Sequence, residues 1–143
     1  MKTVNWGIVG CGNVCERKSG PAMYKTPHSA LAAVMRRDAE KVADFARRHN
    51  VPKSYTDAAL IADPEVDIVY VATPPGTHRE LAVQALEAGK PVYVEKPMAM
   101  NHAECLEMIA AAEKAGQKLF VAYYRRALLY FLKVKELLDG GSV

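Results

Sequence analysis

The chain has 143 residues, half of them apolar and 24% charged, the profile of one globular domain that buries roughly 68–70% of its unfolded surface without disulfides or a structural metal. The net charge is +3 and the basic pairs Arg36-Arg37, Arg47-Arg48 and Arg125-Arg126 are scattered rather than gathered in a stripe, which argues against nucleic-acid binding. No apolar run reaches the length of a membrane span, and Met1-Lys2-Thr3 leads into a strand without a signal core, so the expectation is a cytoplasmic protein with no membrane partner.

The first predicted strand, 4–9, runs into Gly10-Cys11-Gly12-Asn13-Val14. A strand that turns at once into a helix needs Gly10 for the turn, and Gly12 has no side chain to hold a pyrophosphate away from the backbone. A helix beginning near Asn13 would aim its unpaired N–H groups and positive dipole end at that phosphate. The third glycine of a GxGxxG pattern falls at Cys15, a small but imperfect substitute, so an ordinary glycine-rich turn is the competing reading. Cys11, Cys15 and Cys105 are an odd count, and the first two have CxxxC spacing without nearby histidines; they read as reduced packing residues, and no metal site is expected. Ser19-Gly20-Pro21 lies inside this first helix and predicts a break or kink there.

A second strand over 30–35 ends at Arg36, with Arg37 next. In a dinucleotide site this position meets the adenosine ribose. An acid there would bind the free hydroxyls of NAD, whereas a guanidinium forms bidentate bonds to a phosphate, so Arg36 points to NADP, with NAD as the second choice. Solvated strand-end arginines are the alternative.

Asp38 is the expected cap of a helix over 39–49 that buries Val42, Phe45 and Ala46. Residues 66–72, VDIVYVA, are almost continuously apolar, as a central strand buried on both faces should be. A helix over 77–88 sets Leu81, Ala82, Ala85 and Leu86 on one side and stops at Gly89. A strand over 91–95 follows. Asn101 and Glu104 resemble a capping box for a helix that runs to Ala115 and stops at Gly116. A sixth strand covers 118–123, and a last helix over 128–138 carries Phe131, Leu132 and Leu138 before Gly140-Gly141. The alternation predicts an α/β fold: a doubly wound parallel sheet (Rossmann) of six strands in the order 3-2-1-4-5-6.

Two further motifs stand at strand ends, ATPPGTH at 72–78 and VEKPM at 94–98. With GCGNV they resemble the N-terminal domain of the Gfo/Idh/MocA oxidoreductases, the glucose-fructose oxidoreductase and inositol dehydrogenase type, over essentially the whole chain. The resemblance implies that Lys96 lies beside the nicotinamide and the substrate hydroxyl and helps shuttle a proton, its pKa lowered by burial and charge, with Pro97 stiffening the turn. It implies that Glu95 touches the nicotinamide ribose or amide and that Thr73 and Pro74 form a wall for the cofactor. His78 either lines that wall or is a satisfied polar residue at the first turn of a helix. Tyr123, Tyr124, Arg125 and Arg126 either border the substrate cleft or are a packed tyrosine pair with surface arginines.

By the same resemblance, residues 1–125 form the NAD(P)-binding domain and 126–143 a crossover helix toward a substrate domain that the chain lacks. The expected reaction is hydride transfer between the nicotinamide and a sugar, cyclitol or cyclic diol, with the 143-residue chain inactive alone and a homo-oligomer left open. The alternatives are a catalytically silent NADP-dependent sensor and an assembly module.

Overall fold

The computed structural model describes residues 2–141. Its strands are β1 (Val4–Val9), β2 (Ser29–Met35), β3 (Lys53–Tyr55), β4 (Ile68–Val71), β5 (Val92–Val94) and β6 (Leu119–Val121). They form one sheet in the order β3-β2-β1-β4-β5-β6, every neighbouring pair parallel. The predicted doubly wound sheet is therefore the fold.

Two helical layers cover it because side chains alternate between the faces of each strand. Ile8, Val34 and Tyr70 pack with Cys15, Met23, Val42 and Phe45, beneath α1 (Asn13–Arg17), α2 (Ser19–Lys25) and α3 (Ala39–Arg48). Val9, Val69, Val71 and Val94 point the other way and pack with Ala82, Leu86, Met108 and Ala112, from α4 (His78–Glu87) and α5 (His102–Ala115). Each large apolar side chain buried this way contributes about 1.5–3 kcal/mol relative to exposure. Asp38 caps α3 by accepting from the Lys41 N–H at 3.0 Å, and Asn101 caps α5 by accepting from the Glu104 N–H at 2.9 Å.

The first helix breaks where its sequence is hostile. α1 ends at Arg17, Lys18 leaves the helical path, and α2 restarts with Pro21 in its first turn, where a missing N–H costs little. Gly20 lies against α1 so closely that a Cβ would stand 2.2 Å from the Cys15 carbonyl oxygen.

Other boundaries move. The strand expected over 66–72 begins only at Ile68, although Val66 is buried in the core; the 91–95 and 118–123 strands shorten to three residues each. β3, which no apolar run marks, is tied down through Asp63. That carboxylate accepts from Lys53 Nζ at 2.9 Å and from the Tyr55 hydroxyl at 2.8 Å. Residues Tyr124–Ala127 form a 3₁₀ turn rather than the end of β6. The last helix, α6 (Leu129–Asp139), buries none of its residues: Leu129 is 85% exposed and Leu138 59%. Of its expected apolar face, Phe131 is half-buried, and Leu132 and Leu138 are exposed. Ser142 and Val143, where the substrate domain was expected to begin, lie outside the described residues. No helix among the described residues is long and apolar enough to cross a membrane.

Candidate functional site

The sheet order reverses between β2-β1 and β1-β4, so the loops after β1 and β4 part there and leave the crevice in which open α/β sheets bind ligands. Gly10 closes one side of it. Its φ is +94°, and a Cβ would stand 2.8 Å from the Thr73 nitrogen and 3.0 Å from the Ala72 carbonyl carbon, so any side chain would drive the two loops apart. Gly12 is the opposite case. It has extended backbone angles, and the nearest atom to a Cβ there would be the Gly10 oxygen at 3.9 Å. The Gly12 N–H turns back to the Gly10 carbonyl at 2.8 Å, whereas those of Asn13 and Val14 meet no acceptor among the described residues. The result is an open ledge with two free amides at the start of α1, which fits a diphosphate.

Cys11 and Cys15 sit beneath the ledge with no exposed surface. Burial pushes their thiols up to about 11 and about 12, with the Arg36 charge opposing the rise at Cys11, so both stay protonated and inert. Cys15 fills the place of a third glycine by facing inward, its sulfur 3.8 Å from the Gly10 carbonyl oxygen. At the end of β2 the Arg36 backbone donates to the Tyr55 carbonyl at 3.0 Å, and its guanidinium turns toward the ledge, Nη1 donating to the Cys11 carbonyl at 3.5 Å. Arg37 is exposed beside it.

On the other side of the crevice, Thr73 is half-buried and Pro74 exposed, and the Thr77 hydroxyl donates to the Thr73 hydroxyl at 2.8 Å. His78 does not line this wall. It is fully buried behind it, with Nε2 2.7 Å from the Thr73 carbonyl oxygen and Nδ1 3.0 Å from the Pro97 carbonyl oxygen. Of the two readings of His78, the satisfied polar residue is the one its position supports, and a direct cofactor contact is corrected. The ring stands between the wall and the turn after β5, in which the Lys96-Pro97 peptide is cis, and when neutral it has one N–H to donate to one of the two carbonyls.

Within that turn Glu95 is half-buried and Lys96 exposed. The burial expected to tune Lys96 is thus absent from this chain. The Glu95 carboxylate is held from both sides: Oε1 accepts from the Tyr70 hydroxyl at 2.5 Å and Oε2 from the Lys96 N–H at 3.1 Å. Tyr70 is the residue that sequence reasoning passed over. Burial first, and the bond to Glu95 second, hold its phenol well above the ordinary range, so it acts as a donor. Its signal was present in the sequence, because a phenol inside a strand buried on both faces must find a partner.

The neighbouring Arg125, followed by the charges of Lys18 and Lys96, lowers the Tyr124 phenol below its usual value. Tyr123 and Tyr124 are 52% and 56% exposed rather than packed. Among the described residues no three histidine, cysteine or carboxylate side chains are placed to hold a metal.

The chain is 51% identical over 141 residues to Oxidoreductase P35 of Formosa agariphila, covering 98% of this chain and 44% of that protein. It is 36% identical over 141 residues to trans-1,2-dihydrobenzene-1,2-diol dehydrogenase of Xenopus laevis, covering 96% of this chain and 42% of the relative. The chain therefore spans less than half the length of these relatives. Among solved structures, aldose-aldose oxidoreductase of Caulobacter crescentus, complexed with glycerol, superposes with a TM-score of 0.89 at 36% identity, covering 99% of this chain and 44% of that one. The 3-ketoreductase KijD10 of Actinomadura kijaniata, in complex with TDP-benzene and NADP, superposes with a TM-score of 0.92 at 27% identity, covering 99% and 45%. The pattern of the oxidoreductase family with an NAD-binding Rossmann fold matches residues 4–123, and the chain belongs to that Gfo/Idh/MocA family.

Proposed function

We propose that this chain is the dinucleotide-holding part of an NADP-dependent oxidoreductase acting on a hydroxyl or carbonyl carbon of a sugar, cyclitol or cyclic diol. The observation that carries the reading is the open Gly12 ledge after β1, which leaves the same edge of the parallel sheet as the Glu95–Pro97 turn after β5. When bound, the nicotinamide supplies the hydride chemistry. The free amides of Asn13 and Val14, with Gly12 between them and Cys11, hold the diphosphate. Arg36 takes the ribose phosphate, with Arg37 as a second cation. Thr73 and Pro74 form the wall, and the Glu95 carboxylate accepts from the nicotinamide ribose or amide. Lys96 gives or takes the proton at the substrate oxygen through Nζ.

Relatives named as a diol dehydrogenase and an aldose oxidoreductase support the substrate class. Residues 1–125 form the dinucleotide domain, and the bare apolar surface of α6 belongs to the connection toward a second domain that would also cover Lys96.

Fluorescence titration with NADPH and NADH tests the reading. NADPH should bind more tightly, and Arg36→Ala should weaken NADPH by about tenfold or more while sparing NADH, as expected for loss of charge-assisted bonds. Binding of neither dinucleotide overturns the reading. Equal binding that ignores Arg36 overturns only the choice of NADP.

A further inference from the structure

We propose that Tyr70 is a positioning residue for the nicotinamide end of the crevice, its buried phenol orienting the Glu95 carboxylate before any ligand arrives. The inference rests on the reading of the Glu95–Pro97 turn given above.

Tyr70 lies in the middle of β4 and has no exposed surface. Its ring is confined by Tyr93, its partner on β5, at 5.3 Å between centroids, and Tyr93 meets Trp6 edge-on at 6.1 Å. A phenol clamped in this way has little freedom to redirect its hydroxyl. Its proton is committed to Glu95 Oε1 at 2.5 Å. The other carboxylate oxygen, Oε2, accepts from the Lys96 N–H at 3.1 Å. A carboxylate offers about four lone-pair positions, so these two bonds fix its plane and leave the remainder for an incoming donor. At the far end of the same turn the Pro97 carbonyl oxygen lies 3.0 Å from His78 Nδ1. The turn is therefore flanked at Glu95 by Tyr70 and at Pro97 by His78, both from the β4–α4 segment, while Lys96 between them stays exposed.

A phenylalanine at position 70 would fill nearly the same volume without a hydroxyl to satisfy. The hydroxyl thus earns its place through Glu95, and the carboxylate does not have to be ordered by the ligand, a cost that otherwise reduces affinity.

The test uses Tyr70→Phe, Glu95→Gln and the double variant of the 143-residue chain. Two ligands are titrated: NADPH or NADH, whichever the unaltered chain holds more tightly, and the matching 2′-phospho-ADP or ADP fragment, which lacks the nicotinamide and its ribose. Tyr70→Phe should weaken the dinucleotide by about three- to tenfold, the scale of ordering one side chain, and leave the fragment unchanged. In the Glu95→Gln background the same substitution should have little further effect, because both act through one carboxylate. Equal losses for both ligands, or effects that simply add, would make Tyr70 a structural residue and overturn the proposal. Thermal melting of each variant separates loss of fold from loss of orientation. Failure of the unaltered chain to bind dinucleotide more tightly than its fragment would instead remove the nicotinamide reading of the turn, and this inference with it.

Discussion

Two glycines separated by one residue do different work, and substitution distinguishes them. At Gly12 a side chain enters open space. Gly12→Val should therefore cost no more than a poorer helix cap, about 1 kcal/mol, in urea denaturation, yet lower dinucleotide affinity more than about tenfold. At Gly10 the positive φ and the nearby Thr73 and Ala72 backbone make Gly10→Ala destabilising by about 1–3 kcal/mol whether or not ligand is present. A Gly12 variant that binds normally would detach the ledge from the proposed function. The glycines and Arg36 were legible as residues of interest because strand ends and glycine spacing are local signals, whereas Thr73, Pro74, Glu95 and Lys96 were singled out through the family resemblance of their motifs. The burial of His78 and the grip of Tyr70 on Glu95 were not legible. Each depends on contacts between residues 19 to 25 positions apart that no local pattern encodes.

Among the elements, the caps and breaks were legible and the short strands were not. Asp38 and Asn101 satisfy amides at the starts of α3 and α5 as their positions predicted. Asp38→Ala and Asn101→Ala should each cost about 1 kcal/mol, read as a lower urea midpoint with an unchanged slope. A fall no larger than that of an exposed mid-helix substitution would show the caps to be redundant. The break after Arg17 follows from Gly20-Pro21, since proline lacks the donor that a continuous helix requires. β3 could not be read from its own three residues. Its place in the sheet comes from the Lys53 and Tyr55 bonds to Asp63, and from the Tyr55 carbonyl receiving the Arg36 N–H.

For the molecule as a whole, acid stability follows from carboxylates held low by the fold. Burial would raise the Asp63 carboxyl, but the Glu65 amide, Lys53 and Tyr55 outweigh it and bring it down to about 2 from 3.8. The Arg48 guanidinium, followed by His49, holds Glu16 at about 2 instead of 4.5. A carboxyl lowered on folding contributes stability above its unfolded pKa and loses it as pH falls through the folded one. Urea midpoints should accordingly be flat from pH 7 to about 5 and decline between about 4.5 and 2, and Asp63→Asn should flatten part of that decline. Deleting residues 129–143 should leave the melting midpoint within about 2 °C, below the shift expected from about 1 kcal/mol, because α6 buries nothing. A larger drop would mean that α6 packs on the body. The alternation of apolar runs with helical periods was enough to indicate the sheet and its strand order, since burying β-branched strands on both faces leaves few other arrangements, while the family was legible only through the resemblance carried by the GCGNV, ATPPGTH and VEKPM motifs. Which side chains stand at the crevice was decided only in three dimensions. Strands distant in sequence became neighbours in the sheet, and a buried polar group takes whatever partner the packing brings within hydrogen-bond distance.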